Sequence, residues 1–358
     1  MIPVTKPFLP PLEEYTSLIK QIWLSEHITN AGPMVKKLEL KLEKFLKAQN
    51  CFFVSNGTIA LQIAIKALDL KGEIITTPFS YVATTSSIVW EGCTPIFVDI
   101  EADTLTIDPT KIEASITDKT SAILVTHVYG NPCDIEYIEQ IAKKYNLKVI
   151  YDAAHCFGVE YKDIPVVNYG DISTLSFHAT KLFQTVEGGA IVCQNQEIAK
   201  KISYLKNFGH DGPENFVSVG INGKNSELHA AMGLCNLPYI KNIISRRKEL
   251  SELYDEFLMS TNTITRPTIR PDTKYNYGYY PILLQNEAAL FRVQGALNKE
   301  SIFSRRYFYP SLNTLNYVQP KATPISSDAS SRALCLPLYY SLEREDVKKI
   351  SAIILKNL

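Results

Sequence analysis

The feature that most constrains this chain is how its first two-thirds alternates. Short, nearly continuous apolar runs take turns with segments whose apolar residues recur at helical spacing. The runs are Phe52 to Val54, EIITT (73–77), TPIFVDI (94–100), SAILVTHVYG (121–130) and LKVIYDAA (147–154). Between them lie helix-like stretches at 34–48, 59–70, 80–92 and 133–146. Strands that are apolar on both faces and separated by helices predict an α/β domain with a largely parallel, doubly covered sheet.

After residue 170 the order changes. DISTLSFHATK (171–181) and GGAIVCQN (188–195) read as two further strands joined by a loop, and 195–207 as a helix. A long helical stretch, 227–258, contains Pro238, which predicts a kink or break. The Thr- and Pro-rich segment 261–274 reads as a linker. YYPILL, an amphipathic segment at 287–300, SIFSRRYF and a final helix at 341–358 predict a smaller α+β unit. The expected division is a large domain over 1–240, with an N-terminal helix and an α/β/α sandwich, and a small C-terminal domain over 241–358.

Composition removes several function classes. Lys plus Arg equals Asp plus Glu, at 37 each, and no basic tract stands out, which argues against a nucleic-acid polymer as partner. No apolar run approaches the roughly 20 residues of a membrane-spanning helix. The seven cysteines form no CxxC pair, and the six histidines show no HxxxH spacing. Reduced thiols in a cytoplasmic compartment and no metal are therefore expected. A nicotinamide-binding fingerprint, GxGxxG after the first strand, is missing.

Three local features carry chemistry. Lys181 follows a predicted strand and precedes a Gly-Gly turn. Burial there would lower its pKa and make the amine nucleophilic, although a lysine alone more often sits in solvent. Asp152 ends the run LKVIYDAA, at the strand end where open α/β sheets bind ligands; alone, it reads equally as a helix cap. Ser55-Asn56-Gly57-Thr58 precedes a helix, whose first amides form a phosphate cradle or are simply capped. Together, a cradle, an aspartate and a lysine are the three anchors of pyridoxal phosphate.

At this point the sequence resembles a family. FVSNGTIAL, IYDAAHCFG, SFHATKLFQTVEGGAIV, GINGKNSELHAAMG and LCLPLYYSLEREDV, in that order, resemble the DegT/DnrJ/EryC1/StrS sugar-nucleotide aminotransferases of the fold-type I superfamily. The resemblance implies a pyridoxal phosphate enzyme, passing through the pyridoxamine form, with Lys181 as the Schiff-base lysine and Asp152 as partner of the pyridine nitrogen. It places His155 at the ring hydroxyl, Tyr81 and Ala154 on the two ring faces, and Gly57, Thr58 and Ser176 on the phosphate. Asn222 falls on a residue that reaches the phosphate of the neighbouring subunit's cofactor, which implies a homodimer with shared sites. Read from the residues alone, Asn222 is a turn residue in an Asn-Gly pair.

The implied reaction moves an amino group from L-glutamate to a nucleotide-linked keto-6-deoxyhexose. The form SFHxxK…TxEGG resembles the C-4 enzymes that form dTDP-4-amino-4,6-dideoxyglucose, with C-3 amination as the alternative. A sugar 3-dehydratase, in which histidine replaces the lysine, and a non-catalytic protein of the same fold are the more distant alternatives. Substrate candidates are the cations Lys6, Lys224, Arg305 and Arg306, together with Asn30, His178 and Tyr309. The nucleotide, the sugar stereochemistry and the pathway, O-antigen and lipopolysaccharide among them, stay open.

Overall fold

The computed structural model describes residues 1–358. Two helices open the large unit, α1 (Leu12–Ser25) and α2 (Pro33–Leu46). There follow β1 (Asn50–Val54), α3 (Gly57–Ala67), β2 (Glu73–Thr76), α4 (Val82–Trp90), β3 (Thr94–Phe97), β4 (Thr120–Thr126), α5 (Ile135–Tyr145) and β5 (Lys148–Asp152). Two short strands, β6 (Glu160–Tyr161) and β7 (Ile164–Pro165), precede β8 (Ile172–Ser176), β9 (Gly189–Cys193), α6 (Gln196–Leu205), α7 (Glu227–Asn236) and α8 (Ile240–Leu258). The remainder holds β10 (Thr273–Lys274), β11 (Pro281–Leu283), α9 (Glu287–Lys299), α10 (Pro324–Arg332), β12 (Ala333–Cys335) and α11 (Arg344–Lys356).

Seven strands form one sheet in the order β1-β9-β8-β5-β4-β2-β3. Every pairing is parallel except the two made by β9. The chain steps outward from β2 to β3 and the other way from β4 through β5 to β8, so the order reverses between β2 and β4. Helices cover both faces. One buried cluster joins α2, α5 and α7 to the sheet, and another joins α3 and α6 to its opposite side. This double cover is why β4 and β5 read as unbroken apolar runs.

Local chemistry sets the helix ends that matter below. The Asn56 side chain caps α3 by accepting from the Ile59 amide at 2.9 Å. Pro238 acts as expected: α7 stops at Asn236, a short 3-10 turn follows, and α8 begins at Ile240. The buried Glu227 carboxylate accepts from the Met34 and Val35 amides, so α7 caps the start of α2.

Two expectations need correction. The apolar spacing places the first helix at 34–48, but α1 precedes it; its exposed Trp23 and Leu24 blur the apolar stripe, and Ile22 alone is fully buried. The segment 261–274 is no free linker. The Thr268 amide donates to the Asp103 carbonyl at 2.8 Å, Arg270 pairs with Glu101 at 3.0 Å, and β10 pairs with β6. The segment SIFSRRYF contributes isolated bridges, Ile2 with Ile302 and Arg305 with Cys335.

The buried cluster changes along α8. Ile240 and Ile243 pack with the large sheet, whereas Leu250, Leu253 and Leu258 pack with α9, α11 and β11. The N-terminal strap contacts elements of both clusters. The Ile2 amide bonds the Ser301 carbonyl and the Leu338 amide bonds the Val4 carbonyl. Gln184, beyond Lys181, donates to the Phe8 carbonyl at 3.0 Å.

Candidate active site

A cavity of about 490 Å³ opens at the carboxyl ends of β5 and β8, next to the start of α3. Ligands in open α/β sheets collect at this edge. Asp152 is the last residue of β5 and is 5% exposed. Its carboxylate accepts from the Thr84 hydroxyl at 2.7 Å and the Ala154 amide at 3.1 Å. Thr84 is bonded in turn to Ser80, and Ser80 to Thr126, each at 2.8 Å. Burial pushes the Asp152 carboxyl above its ordinary range, while these hydrogen bonds and the Lys181 charge pull it back. A buried carboxylate held this way is suited to a cationic ring N–H.

Lys181 lies in the turn after β8, where its amide donates to the His178 carbonyl at 2.8 Å. Its Nζ donates to the Tyr279 hydroxyl at 3.3 Å. Burial holds its pKa below that of a free lysine, and the Asp152 charge opposes the shift. A fraction of free amine thus becomes available nearer neutral pH, as nucleophilic and proton-transfer chemistry requires.

His155 is buried, and its Nδ1 accepts from the Tyr129 amide at 3.1 Å. Burial drives its pKa well down, and Lys181 adds to the effect. The neutral ring must therefore carry its proton on Nε2. Phe308 stacks on this ring at 5.6 Å and 7°.

The phosphate cradle has a visible shape. The Asn56 cap uses the Ile59 amide, and the first-turn amides of Gly57 and Thr58 have no partner within the helix. A Cβ on Gly57 would stand 3.0 Å from the Ser176 Cβ, so glycine keeps the crease between α3 and β8 open. Gly189 serves the same end: a Cβ there would meet the Asn56 carbonyl at 2.6 Å. A cradle that a methyl group would fill, an aspartate and a depressed lysine in one cavity fit pyridoxal phosphate.

All eight cofactor contacts expected within one chain line this cavity: Gly57, Thr58, Tyr81, Asp152, Ala154, His155, Ser176 and Lys181. Asn222 does not. It lies exposed on the loop between α6 and α7, bridged to Asn207, among the exposed side chains of Phe208, Phe216, Val219 and Ile221. Of the substrate candidates, His178 and Arg305 line the cavity. Arg306 turns away: it pairs with Glu287 at 2.6 Å and lies 3.6 Å over the Tyr309 ring, so these two stack on each other outside it. Lys6 and Asn30 are exposed elsewhere. Lys224 donates to Asn207 at 2.7 Å beside Asn222. The cavity-lining or supporting residues that the sequence did not single out are Thr84, Ser80, Tyr279, Tyr307 and Phe308.

The sequence profile of the DegT/DnrJ/EryC1/StrS aminotransferase family matches residues 12–355. The chain belongs to this family. It is accordingly an aminotransferase that works with pyridoxal phosphate. It is 45% identical to the dTDP-4-amino-4,6-dideoxy-D-glucose transaminase of Shigella dysenteriae, over 98% of this chain and 97% of the relative. It is 42% identical to the Escherichia coli enzyme of the same name, over 99% and 98%. A solved structure of DesI in the presence of its TDP-sugar product superposes with a TM-score of 0.93 at 28% identity, over 99% of this chain and 92% of that one. No helix is long and apolar enough to cross a membrane, and no group of three or more His, Cys, Asp or Glu is placed to hold a metal.

Proposed function

We propose that this enzyme transfers the amino group of L-glutamate to C-4 of a dTDP-linked 4-keto-6-deoxyhexose, giving the 4-amino-4,6-dideoxy sugar. The observation that carries this reading is the 45% and 42% identity, over nearly the whole chain, to two transaminases named for that amino sugar. When bound, the cofactor supplies the electron sink that stabilises the carbon losing its proton. Asp152 keeps the proton on the ring nitrogen, and Thr84 orients its carboxylate. His155, with its proton on Nε2, would donate to the ring oxygen. The Gly57 and Thr58 amides and the Ser176 hydroxyl hold the phosphate. Tyr81 and Ala154 close the two ring faces. Lys181 would hold the cofactor through its amine and, when that amine is free, would serve as the base and acid that moves the substrate's proton. His178 and Arg305 meet the substrate anions at the mouth.

The same reading makes the enzyme a cytoplasmic homodimer. Its support is the exposed apolar side chains around Asn222 and seven cysteines that are all buried free thiols. In the dimer Asn222 reaches the partner's phosphate, and Lys224 lies beside it. The cofactor-binding domain runs to about residue 240 and the small domain from there, supported by the change of core along α8.

The test is to offer dTDP-, UDP- and GDP-linked 4-keto and 3-keto sugars with glutamate and to identify products by NMR. The reading expects a new amine at C-4 of the dTDP sugar. An amine at C-3, or turnover of UDP or GDP sugars alone, overturns the substrate assignment.

A further inference from the structure

Lys181 needs more than a depressed pKa. Once displaced from the cofactor, a four-carbon side chain is free to rotate, and its amine must stay within reach of the carbons between which it moves a proton. The structure holds one hydrogen-bond partner for Nζ, and it comes from outside the cofactor-binding strands. Tyr279 lies between β10 and β11, just ahead of the strand that pairs with β12.

Several contacts fix Tyr279. Its ring meets His155 nearly edge-on at 4.8 Å and 64°, and the rings of Tyr129 and Tyr307 each lie 5.8 Å away. The residue before it, Gly278, is held at both its amide and its carbonyl. The Gly278 amide donates to the Asn276 side chain at 3.0 Å, and the Gly278 carbonyl accepts from Arg247 at 3.1 Å. Arg247 is unusual in its own right. It is 4% exposed, the charges near it include no carboxylate, and its Nε makes no hydrogen bond. A buried guanidinium without a counter-ion is costly. This one spends its contact on the backbone that carries Tyr279.

The groups facing Nζ are few. Asp152 is the anion beneath it, and Tyr81, Tyr307 and Cys156 are the other titratable groups whose proximity acts on it. Burial keeps the Tyr279 and Tyr307 hydroxyls protonated. Tyr279 therefore offers a neutral oxygen that accepts from the amine and leaves Asp152 free for the ring nitrogen.

We propose that Tyr279 is a positioning residue for transamination: its hydroxyl holds the freed Lys181 amine over the cofactor, and Arg247 fixes the backbone that presents it. The proposal rests on the reading of Lys181 as the cofactor-bonding and proton-carrying residue. It adds a dependence of that residue on the small-domain side of the cleft.

The test is Tyr279→Phe, which keeps the ring and removes the oxygen, studied as holoenzyme. Borohydride reduction followed by peptide mapping is run first on wild type and variant. Cofactor trapped on Lys181 in both is expected; its absence from Lys181 in wild type defeats the reading beneath the proposal rather than the proposal. Given trapping, single-turnover rates of both half-reactions should fall about tenfold, the scale of one hydrogen bond to a charged group. KM for glutamate and for the sugar nucleotide should stay within about twofold, because Tyr279 orients the lysine and not the substrate. In the structure the hydroxyl accepts from Nζ and so favours the ammonium form. Its loss should move the acid limb of the rate profile to lower pH. Unchanged rates, or a fall in rate with the limb unmoved, overturn the proposal.

Discussion

Gly57→Ala separates the phosphate cradle from every other part of the site. Gly57 is the first residue of α3, and its added Cβ would lie 3.0 Å from the Ser176 Cβ and 3.4 Å from the Ser176 Oγ. The neighbours need to give by a few tenths of an ångström, so the fold tolerates the change. Replacing glycine by alanine in a compatible helical position stabilises a chain by about 0.4–1 kcal/mol through its unfolded state, offsetting the local crowding. The methyl group nevertheless sits in the crease where the Gly57 and Thr58 amides and the Ser176 hydroxyl converge. Displacing a phosphate from one such charge-assisted bond costs about 1.5–3 kcal/mol, or roughly a 10- to 100-fold loss of affinity. The assay is a pair of titrations of apoenzyme, one with pyridoxal phosphate and one with pyridoxal, alongside a thermal melt. The variant should bind pyridoxal phosphate 10- to 100-fold more weakly, bind pyridoxal like wild type, and melt within a few degrees of it. Equal losses for both compounds, or none for the phosphate ester, would refute the placement of the phosphate.

Three further outcomes follow from the geometry. Asp152→Asn removes the anion that holds the Lys181 pKa up, so the pH at which the apoenzyme captures cofactor should fall; turnover should fall by at least about 100-fold as the ring nitrogen loses its partner, and stopped-flow capture rates across pH check both. Mixing Asn222→Ala with Lys181→Ala subunits should restore activity that neither variant has alone, and a mixture no more active than its components contradicts a site shared across the dimer. Glu227→Gln keeps the shape of the cap on α2 but loses its charge, so urea unfolding should show about 1–2 kcal/mol less stability with cofactor affinity unchanged.

The parts of the site legible in the sequence are those set by local chain order. Asp152 and Ser176 end strands whose apolar runs are plain, Gly57 opens a helix, and Lys181 precedes a Gly-Gly turn. What stayed hidden is what only packing decides. Thr84 is one more polar residue in a helix until α4 lays it against Asp152. Arg305 and Arg306 are indistinguishable as letters. In the structure the Arg305 backbone is bridged to Cys335 and its guanidinium faces the cavity, whereas the next residue is turned to Glu287. The Thr- and Pro-rich stretch before β10 has a linker's composition, yet Arg270 ties it to Glu101 and Asp134. Tyr279 sits among several tyrosines, and nothing in their spacing singles out the one that meets Lys181.

The proposed chemistry depends on which residue bonds the cofactor. Holoenzyme reduced with borohydride, digested and read by mass spectrometry answers this in one experiment. A single reduced adduct is expected, on the peptide carrying Lys181, and none in folded Lys181→Ala. An adduct on another lysine, or an equal one in the Lys181→Ala variant, would contradict it.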